Sequence, residues 1–233
     1  MLHTNKYFFI ARAIIPSLYF NFKYLPFRQA VKLPILTYKP TFLKLKGKVI
    51  IDSPVIYMGM IKLGLFATSV YPNNGFTISN EGKIIFKGKC SIGNDSYIVC
   101  GKQGEIIIGD NFRVSAGMKI VSQCGVEFGK EVRIGWDNVI MDTNFHPIYD
   151  MEKEKFKKAF GKVYIGDNNW LASQCMVLPG VRTPKRCIFG ARSILTRGGL
   201  YESYCVHGGT PLKVLSRNVM RIIGQDRIVD YSE

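Results

Sequence analysis

The sequence predicts a mainly β chain wound as a parallel β-helix, and three observations carry that expectation. Ile165, Leu171 and Val177 recur every six residues, and the same phase runs on through Thr183, Phe189 and Leu195. It also occurs upstream as Ile108, Val114, Ile120, Val126 and then as Phe128, Ile134, Ile140. An α-helix repeats every 3.6 residues and a strand every two, so a sustained period of six belongs to a solenoid of short strand-plus-turn units. Only stacking of successive coils buries such positions. Secondly, glycine follows the aliphatic residue at Gly93, Gly109, Gly129, Gly135, Gly166 and Gly190, as expected where a corner needs a conformation that a Cβ disfavours. Thirdly, the residue four places after the aliphatic one is mostly small, as at Ser96, Cys124, Cys175, Cys187 and Ser193, which suits a narrow interior. Antiparallel strands joined by regular turns would not hold this phase over five steps.

Length and composition bound the rest. A chain of 233 residues with 47% hydrophobic content can bury a substantial core as one β-rich domain. Its 32 Lys and Arg against 17 Asp and Glu give a net charge of +15, which calls for an anionic partner: nucleic acid, a membrane surface or a phosphorylated small molecule. Six cysteines occur without a CxxC pair or zinc-ligand spacing, and three of them occupy the small inward slot. They read as reduced packing residues, which points to the cytoplasm.

In chain order, residues 1–45 form a basic, aromatic arm. The first 51 residues contain no Asp or Glu but nine Lys and Arg. The apolar run Phe8 to Ile15 is interrupted by Arg12 and stopped by Pro16, too short to cross a bilayer, and no signal-type cleavage site follows. Two readings stand for the arm: a patch resting on an anionic membrane face, or helices packed on the base of the solenoid. The β-helix domain is expected over 46–213, with irregular first coils over 46–89 and a phase slip in the loop Cys100 to Glu105. The repeat stops at an inserted loop, 143–162, too long for a corner and of the kind that holds function on a rigid scaffold. In the tail, 214–233, the spacing of Val214, Leu215, Val219, Ile222 and Ile223 around Arg217 and Arg221 predicts a short amphipathic helix that caps the solenoid.

Histidines stand at 3, 146 and 207. His146 lies at the mouth of the inserted loop, where an imidazole can take a proton from a hydroxyl near neutral pH. Asp142 or Asp150 could orient it, and either could equally cap a turn. No phosphate-binding glycine loop and no serine nucleophile elbow is present, and one loop histidine with two remote ones assembles no three-histidine zinc site except across subunits.

The stretch Ile165 to Leu195, the run Asn144-Phe145-His146-Pro147 and the close Gly208-Gly209-Thr210-Pro211-Leu212-Lys213-Val214 together resemble the hexapeptide-repeat acyltransferases. The likeness is to maltose- and galactoside-type O-acetyltransferases and to those of capsule and lipopolysaccharide assembly, over roughly residues 90–220. It implies a left-handed helix of triangular section, a homotrimer, and acetyl-CoA bound between neighbouring subunits, with no metal. It further implies that His146 is the general base; Asp142, from its nearness in sequence, stands as the catalytic carboxylate candidate beside it. Trp170 and Ser173 would line the pantetheine channel, with Ala191, Thr196, Arg197 and Lys213 along the coenzyme's later segments and phosphates. Ser115, where galactoside-type members carry an acceptor-binding asparagine, and Asn144 are the acceptor candidates. Backbone N–H groups near Ala172 or Ser173 would hold the oxyanion. The chain departs from the family's Gly-Asn-Pro-Ala-Lys-Val close, and Thr183-Pro184 replaces an Ile-Gly repeat start.

The expected function is acetyl transfer to a sugar hydroxyl of a surface polysaccharide, and the arm suits a lipid-linked acceptor at the inner membrane face. The alternative is a non-catalytic β-helix scaffold, which would need neither His146 nor a Trp170-x-x-Ser173 pair. Nucleic acid is not the expected partner, because the basic residues sit in an apolar arm that carries no recognised motif.

Overall fold

The computed structural model describes residues 3–65, 70–71 and 74–224, with side chains from residue 13 onward. Strands β1 (Ile35–Thr37), β2 (Pro40–Leu45) and β3 (Lys48–Ile51) form the first coil of a three-sided prism, one strand to a side. Each pairs in parallel with the strand one coil later: β1 with Ile61–Leu63, β2 with Phe76–Asn80 and β3 with Lys83–Phe86. The chain keeps this order of sides from coil to coil. The coiling therefore begins at Ile35 rather than at 46, and the end of the expected arm belongs to the solenoid.

The six-residue period has a direct structural meaning: six residues make one side, and three sides bring the chain back beneath itself. Leu63, Ile92, Val114, Ile134, Leu171 and Phe189 stack on side one. Ile78, Ile98, Ile120, Ile140, Val177 and Leu195 stack on side two. Ile51, Phe86, Ile108, Phe128 and Ile165 stack on side three. None of these residues is more than 5% exposed, and each such burial is worth about 1.5–3 kcal/mol. The jump of phase from Val126 to Phe128 arises because Phe128, not Val126, lies over Ile108, the extra residues being taken up by a wider corner at 123–125. All six cysteines are unbonded, and five are buried. Cys124, on that wider corner, is the half-exposed exception.

The glycines after the aliphatic residues serve a purpose other than the expected one. Positive φ falls two places later, on Asp95, Asn111, Glu131, Asp137, Asn168 and Arg192. What glycine supplies is room between coils: a Cβ on Gly93 would lie 1.7 Å from the Ser115 carbonyl oxygen, and one on Gly109 2.2 Å from that of Gly129.

Both ends of side one are closed. Helix α1 (His3–Tyr24) runs through Pro16 instead of stopping there and, together with the short α2 (Phe27–Ala30), covers the first coil. Its buried residues Ala13, Ser17, Phe20 and Asn21 share one face. From that face the Asn21 amide donates to the Ile35 carbonyl at 2.6 Å and accepts from the Ile35 N–H at 3.2 Å, while the Ser17 hydroxyl accepts from the Thr37 N–H at 2.8 Å. These contacts occupy an edge that would otherwise pair with another chain. At the far end the expected tail helix is a strand instead. Lys213–Arg217 turns back antiparallel on Cys205–Gly208, and residues 218–224 are not helical. An open edge strand offers backbone partners that an amphipathic helix could not use, and the Gly208-Gly209 turn delivers the chain to them. Residues 225–233 lie outside the described set.

His207 tops the side-one ladder, stacked on Phe189 at 5.2 Å and wholly buried. Its Nε2 accepts the Glu202 N–H at 3.0 Å, so the ring proton sits on Nδ1, which has no partner. Burial lowers the imidazole pKa below its ordinary 6.5. The native state then binds fewer protons than the unfolded chain, so its stability is whole above that value and is lost as pH falls toward the depressed one. Thermal melts of wild type and His207→Gln from pH 7.5 to 5 should show a steeper acid loss in the wild type; parallel curves would refute this account.

Candidate active site

The inserted loop leaves the prism at the second corner, between Val139–Met141 on side two and Val163–Ile165 on side three. It is an ordered arm. Thr143 bridges Phe160, the Asn144 N–H donates to the Ala159 carbonyl at 2.7 Å, and Tyr149–Asp150 pairs antiparallel with Lys155–Phe156. The Tyr149 and Phe156 rings meet edge to face at 5.2 Å. His146 sits near the outgoing root of the arm and is exposed; its backbone N–H donates to the Asn144 carbonyl at 2.7 Å. Phe145, beside it, takes a positive φ of 59°, and its N–H donates to the Thr143 hydroxyl at 2.9 Å. Among the described residues, no hydrogen bond or ion pair engages the His146 ring, which leaves it open to a ligand.

Asp142 does not orient that ring. It is fully buried, and its carboxylate accepts from the Ser122 hydroxyl at 2.8 Å and from the N–H groups of Gln123, Cys124 and Gly125 at 2.7, 2.8 and 2.5 Å. It is the clasp of the wide 123–125 corner, so the turn-capping reading holds for it. Asp150 is committed too. It accepts from the N–H groups of Lys153 and Glu152 and lies 3.4 Å from the Lys157 ammonium. Chiefly through the Lys153 N–H, its carboxyl is held below the usual carboxylate range.

The other candidates fall on different edges of the prism. Ser115, Ser173 and Ala191 stack at the first corner, between sides one and two, with the Ser173 hydroxyl accepting the Trp136 N–H at 3.3 Å. The Ala172 N–H is spent on the Phe189 carbonyl at 2.8 Å, so it is no oxyanion donor. Trp170 opens its strand on side one, half-buried, with the Arg221 guanidinium 4.7 Å from its ring centre. Thr196 and Lys213 line a cleft of about 820 Å³ with Tyr201, Leu212 and Arg217 at the far end of the solenoid. Its size and its mixture of cationic and apolar walls suit a nucleotide-bearing co-substrate. Arg197 points elsewhere, where its guanidinium donates to the Phe160 carbonyl at 3.1 Å and clamps the base of the arm. That contact needs Gly180, whose φ is +85° and where a Cβ would meet Arg197 Nε at 2.2 Å. Sequence reasoning missed this clamp and the Arg221–Trp170 contact. The first was within reach once the coil was known to take about eighteen residues, since Arg197 lies one coil above Gly180 and two above Gly161. Nothing in the sequence pointed to the second.

One chain thus carries two groups of candidates, His146 with Arg197 at the second corner and Ser115, Ser173 and Ala191 at the first, with the width of side two between them.

Known proteins with this pattern bear on its chemistry. No protein-family model matches the chain. It is 27% identical over 124 residues to a polysialic acid O-acetyltransferase of Escherichia coli O1:K1 / APEC, and 33% identical over 106 residues to a galactoside O-acetyltransferase of Lactococcus lactis subsp. lactis (strain IL1403). These matches cover 53% and 46% of this chain and only 40% and 50% of the relatives. Among solved structures, the polySia specific acetyltransferase NeuO superposes with a TM-score of 0.57 at 20% identity, covering 82% of this chain and 75% of that one. The likeness to hexapeptide-repeat acyltransferases holds, and the winding is that of the left-handed β-helix.

The role assigned to Asp142 has a direct consequence. Asp142→Asn removes the charge that four donors share and sets an amide NH2 against at least the Gln123 N–H, which should cost about 2 kcal/mol in urea unfolding, as expected for lost bonds to a charged acceptor; an unchanged midpoint would refute the clasp.

Proposed function

We propose that the chain is an acetyl-CoA-dependent O-acetyltransferase acting on a sugar hydroxyl of a surface polysaccharide. The observation that carries this reading is His146: an exposed imidazole with an uncommitted ring, held on a clamped arm at one corner of a left-handed β-helix whose sequence relatives are named O-acetyltransferases.

Bound acetyl-CoA supplies an activated thioester. Thr196 and Lys213 would hold its far end in the 820 Å³ cleft, and Trp170 and Ser173 would flank the approach to the reacting group. His146 takes the proton from the acceptor hydroxyl as the oxygen attacks, and the imidazolium then gives that proton to the departing sulfur. The Ser173 N–H is the oxyanion donor in this reading, and Asn144 and Ser115 meet the acceptor.

The same proposal includes the homotrimer that the family resemblance implies, in which a neighbouring copy brings its first corner against the His146 arm. Supporting it, exposed Tyr97 and Met176 face outward from side two, Trp136 stands at the first corner, and the arm presents Phe145, Ile148 and Phe156. Turnover should release free thiol from acetyl-CoA in the presence of glycan acceptors, from particles of three chain masses by light scattering. His146→Ala should cut that rate by about 10²-fold or more, as for loss of a general base. Unchanged turnover, or a monomer that turns over, would refute the assignment.

In the same reading the protein works in the cytoplasm against the inner membrane face. Among the described residues, no helix is long and apolar enough to cross a membrane. The outer face of α1 shows Ile14, Ile15, Leu18, Tyr19 and Phe22 to solvent, with Lys23, Arg28 and Lys32 nearby, which supports resting on an anionic surface. Sedimentation with anionic vesicles should carry the wild type down and leave an Ile15→Glu/Phe22→Glu variant in solution; equal pelleting would remove the membrane contact.

A further inference from the structure

We infer that the cleft descending the second corner, from the root of the His146 arm toward the N-terminal end, is an acceptor subsite for a polyanionic glycan. The inference rests on the acetyl-transfer reading above and names the substrate class of that site.

Two hollows of about 500 and 390 Å³ share Glu81, Lys102, Gln103 and Cys124, so they form one channel. Its upper end touches Thr143 and Phe160, the two residues that bridge at the base of the arm. Its lower end is walled by Lys46 and Lys48 of the first coil, and Lys162 borders it where the arm rejoins the prism.

The charge in this channel is not self-compensated. Lys83 is paired with Glu105 at 2.8 Å, and Glu81 is paired with Lys44 at 2.9 Å. Among the described residues, that leaves Lys46, Lys48, Lys102 and Lys162 as exposed ammonium groups without a carboxylate of their own. They come from the first, third and fifth coils, and with coils about 4.8 Å apart the steps between them are roughly 10 Å. A ladder of separated cations along a groove fits a chain that carries charge at intervals. The Glu81 carboxyl is held below the usual carboxylate range chiefly by Lys44, with Lys102 and Lys46 adding to the effect.

The rest of the lining selects among anionic polymers. Glycines and the amides Gln103 and Gln123 offer backbone and side-chain partners for hydroxyls and carboxylates. Single-stranded nucleic acid would call for aromatic platforms, and Phe160 at the arm end is the one ring among the described lining residues. A lipid surface would call for an apolar lining, and although Leu43 and Ile50 of the first coil are exposed, the residues that wall the channel include no Leu, Ile, Val or Met. The channel delivers a carboxylated glycan to the loop that bears the general base, and its lysines decide which polymer is drawn in.

The test separates binding from turnover. Fluorescein-labelled polysialic acid oligomers and neutral dextran oligomers of matched length are titrated into the full-length His146→Ala protein, and polarisation is followed as salt is raised. The anionic oligomer should bind, the neutral one should not, and affinity should fall with salt as exposed charges are screened. Lys46→Gln/Lys102→Gln should weaken binding about fivefold, the scale of two exposed ion pairs, while Lys185→Gln at the third corner should leave it unchanged. Equal binding of neutral and anionic oligomers would overturn the inference. So would an unaltered affinity in the double variant, or tighter binding of single-stranded oligonucleotides or phosphatidylglycerol vesicles through the same lysines. A wild-type chain that binds the anionic oligomer through these lysines yet releases no thiol keeps the channel and overturns the acetyl-transfer reading. A protein that acetylates anionic and neutral glycans alike, at a rate unchanged in Lys46→Gln/Lys102→Gln, does the reverse.

Discussion

The whole molecule depends on one constraint: an inward side chain of this prism has nothing to pack on except the residue one coil above and the one below. A strand of three residues buries too little to stand alone, so the ladder from Leu63 through Ile92, Val114, Ile134 and Leu171 to Phe189 stabilises each coil only through its neighbours. That dependence forces a constant distance between coils. The constant distance in turn forbids a Cβ at Gly93 and Gly109, where the next carbonyl passes too close. A stack of this kind must also finish somewhere, and both ends of side one are finished by hydrogen bonds. Ser17 and Asn21 of α1 satisfy the first strand, and Lys213–Arg217 satisfies the last.

The same rigidity explains why chemistry collects at corners. A side cannot accept an insertion without losing register along its entire ladder, whereas a corner can be lengthened at the cost of local hydrogen bonds alone. The wide turn at 123–125 is held by the Asp142 carboxylate. One coil on, at the same corner, the 143–162 arm grows out of the prism and is clamped by Arg197. The arm inherits the fixed frame at its root and gains reach at its tip, which is what the base proposed at His146 would require to meet a bulky acceptor. The lysine-walled channel lies along that same edge because the corners there are turned outward, and long cationic side chains extend from them into water.

How much of this was legible varied with the kind of interaction. Residues whose role is to fill the interior were read from their spacing: Ile165, Leu171, Val177, Thr183, Phe189 and Leu195 are buried in the register that the period implied. His146 was singled out because it is a titratable side chain at the point where the repeat stops. Asp142 was misread for the same reason, since its nearness in sequence to His146 suggested a partnership, while its true partners lie seventeen to twenty residues back, on the previous coil. The tail was misread as a helix because its apolar spacing has no means of registering an unpaired strand edge.

Taken alone, the sequence determined the architecture, because burial in a solenoid is periodic and a period is a property of the chain order itself. It also determined the composition of the parts: an imidazole on an insertion, an arm without acids, thiols sized for a narrow core. The tertiary structure decided which corner each part occupies and which groups are already spent. Hydrogen bonds and ion pairs join residues one or two coils apart, so Arg197 reaches Phe160, Lys83 takes up Glu105, and Lys46 and Lys102 are left facing one groove. Adjacency of that sort is created by winding the chain.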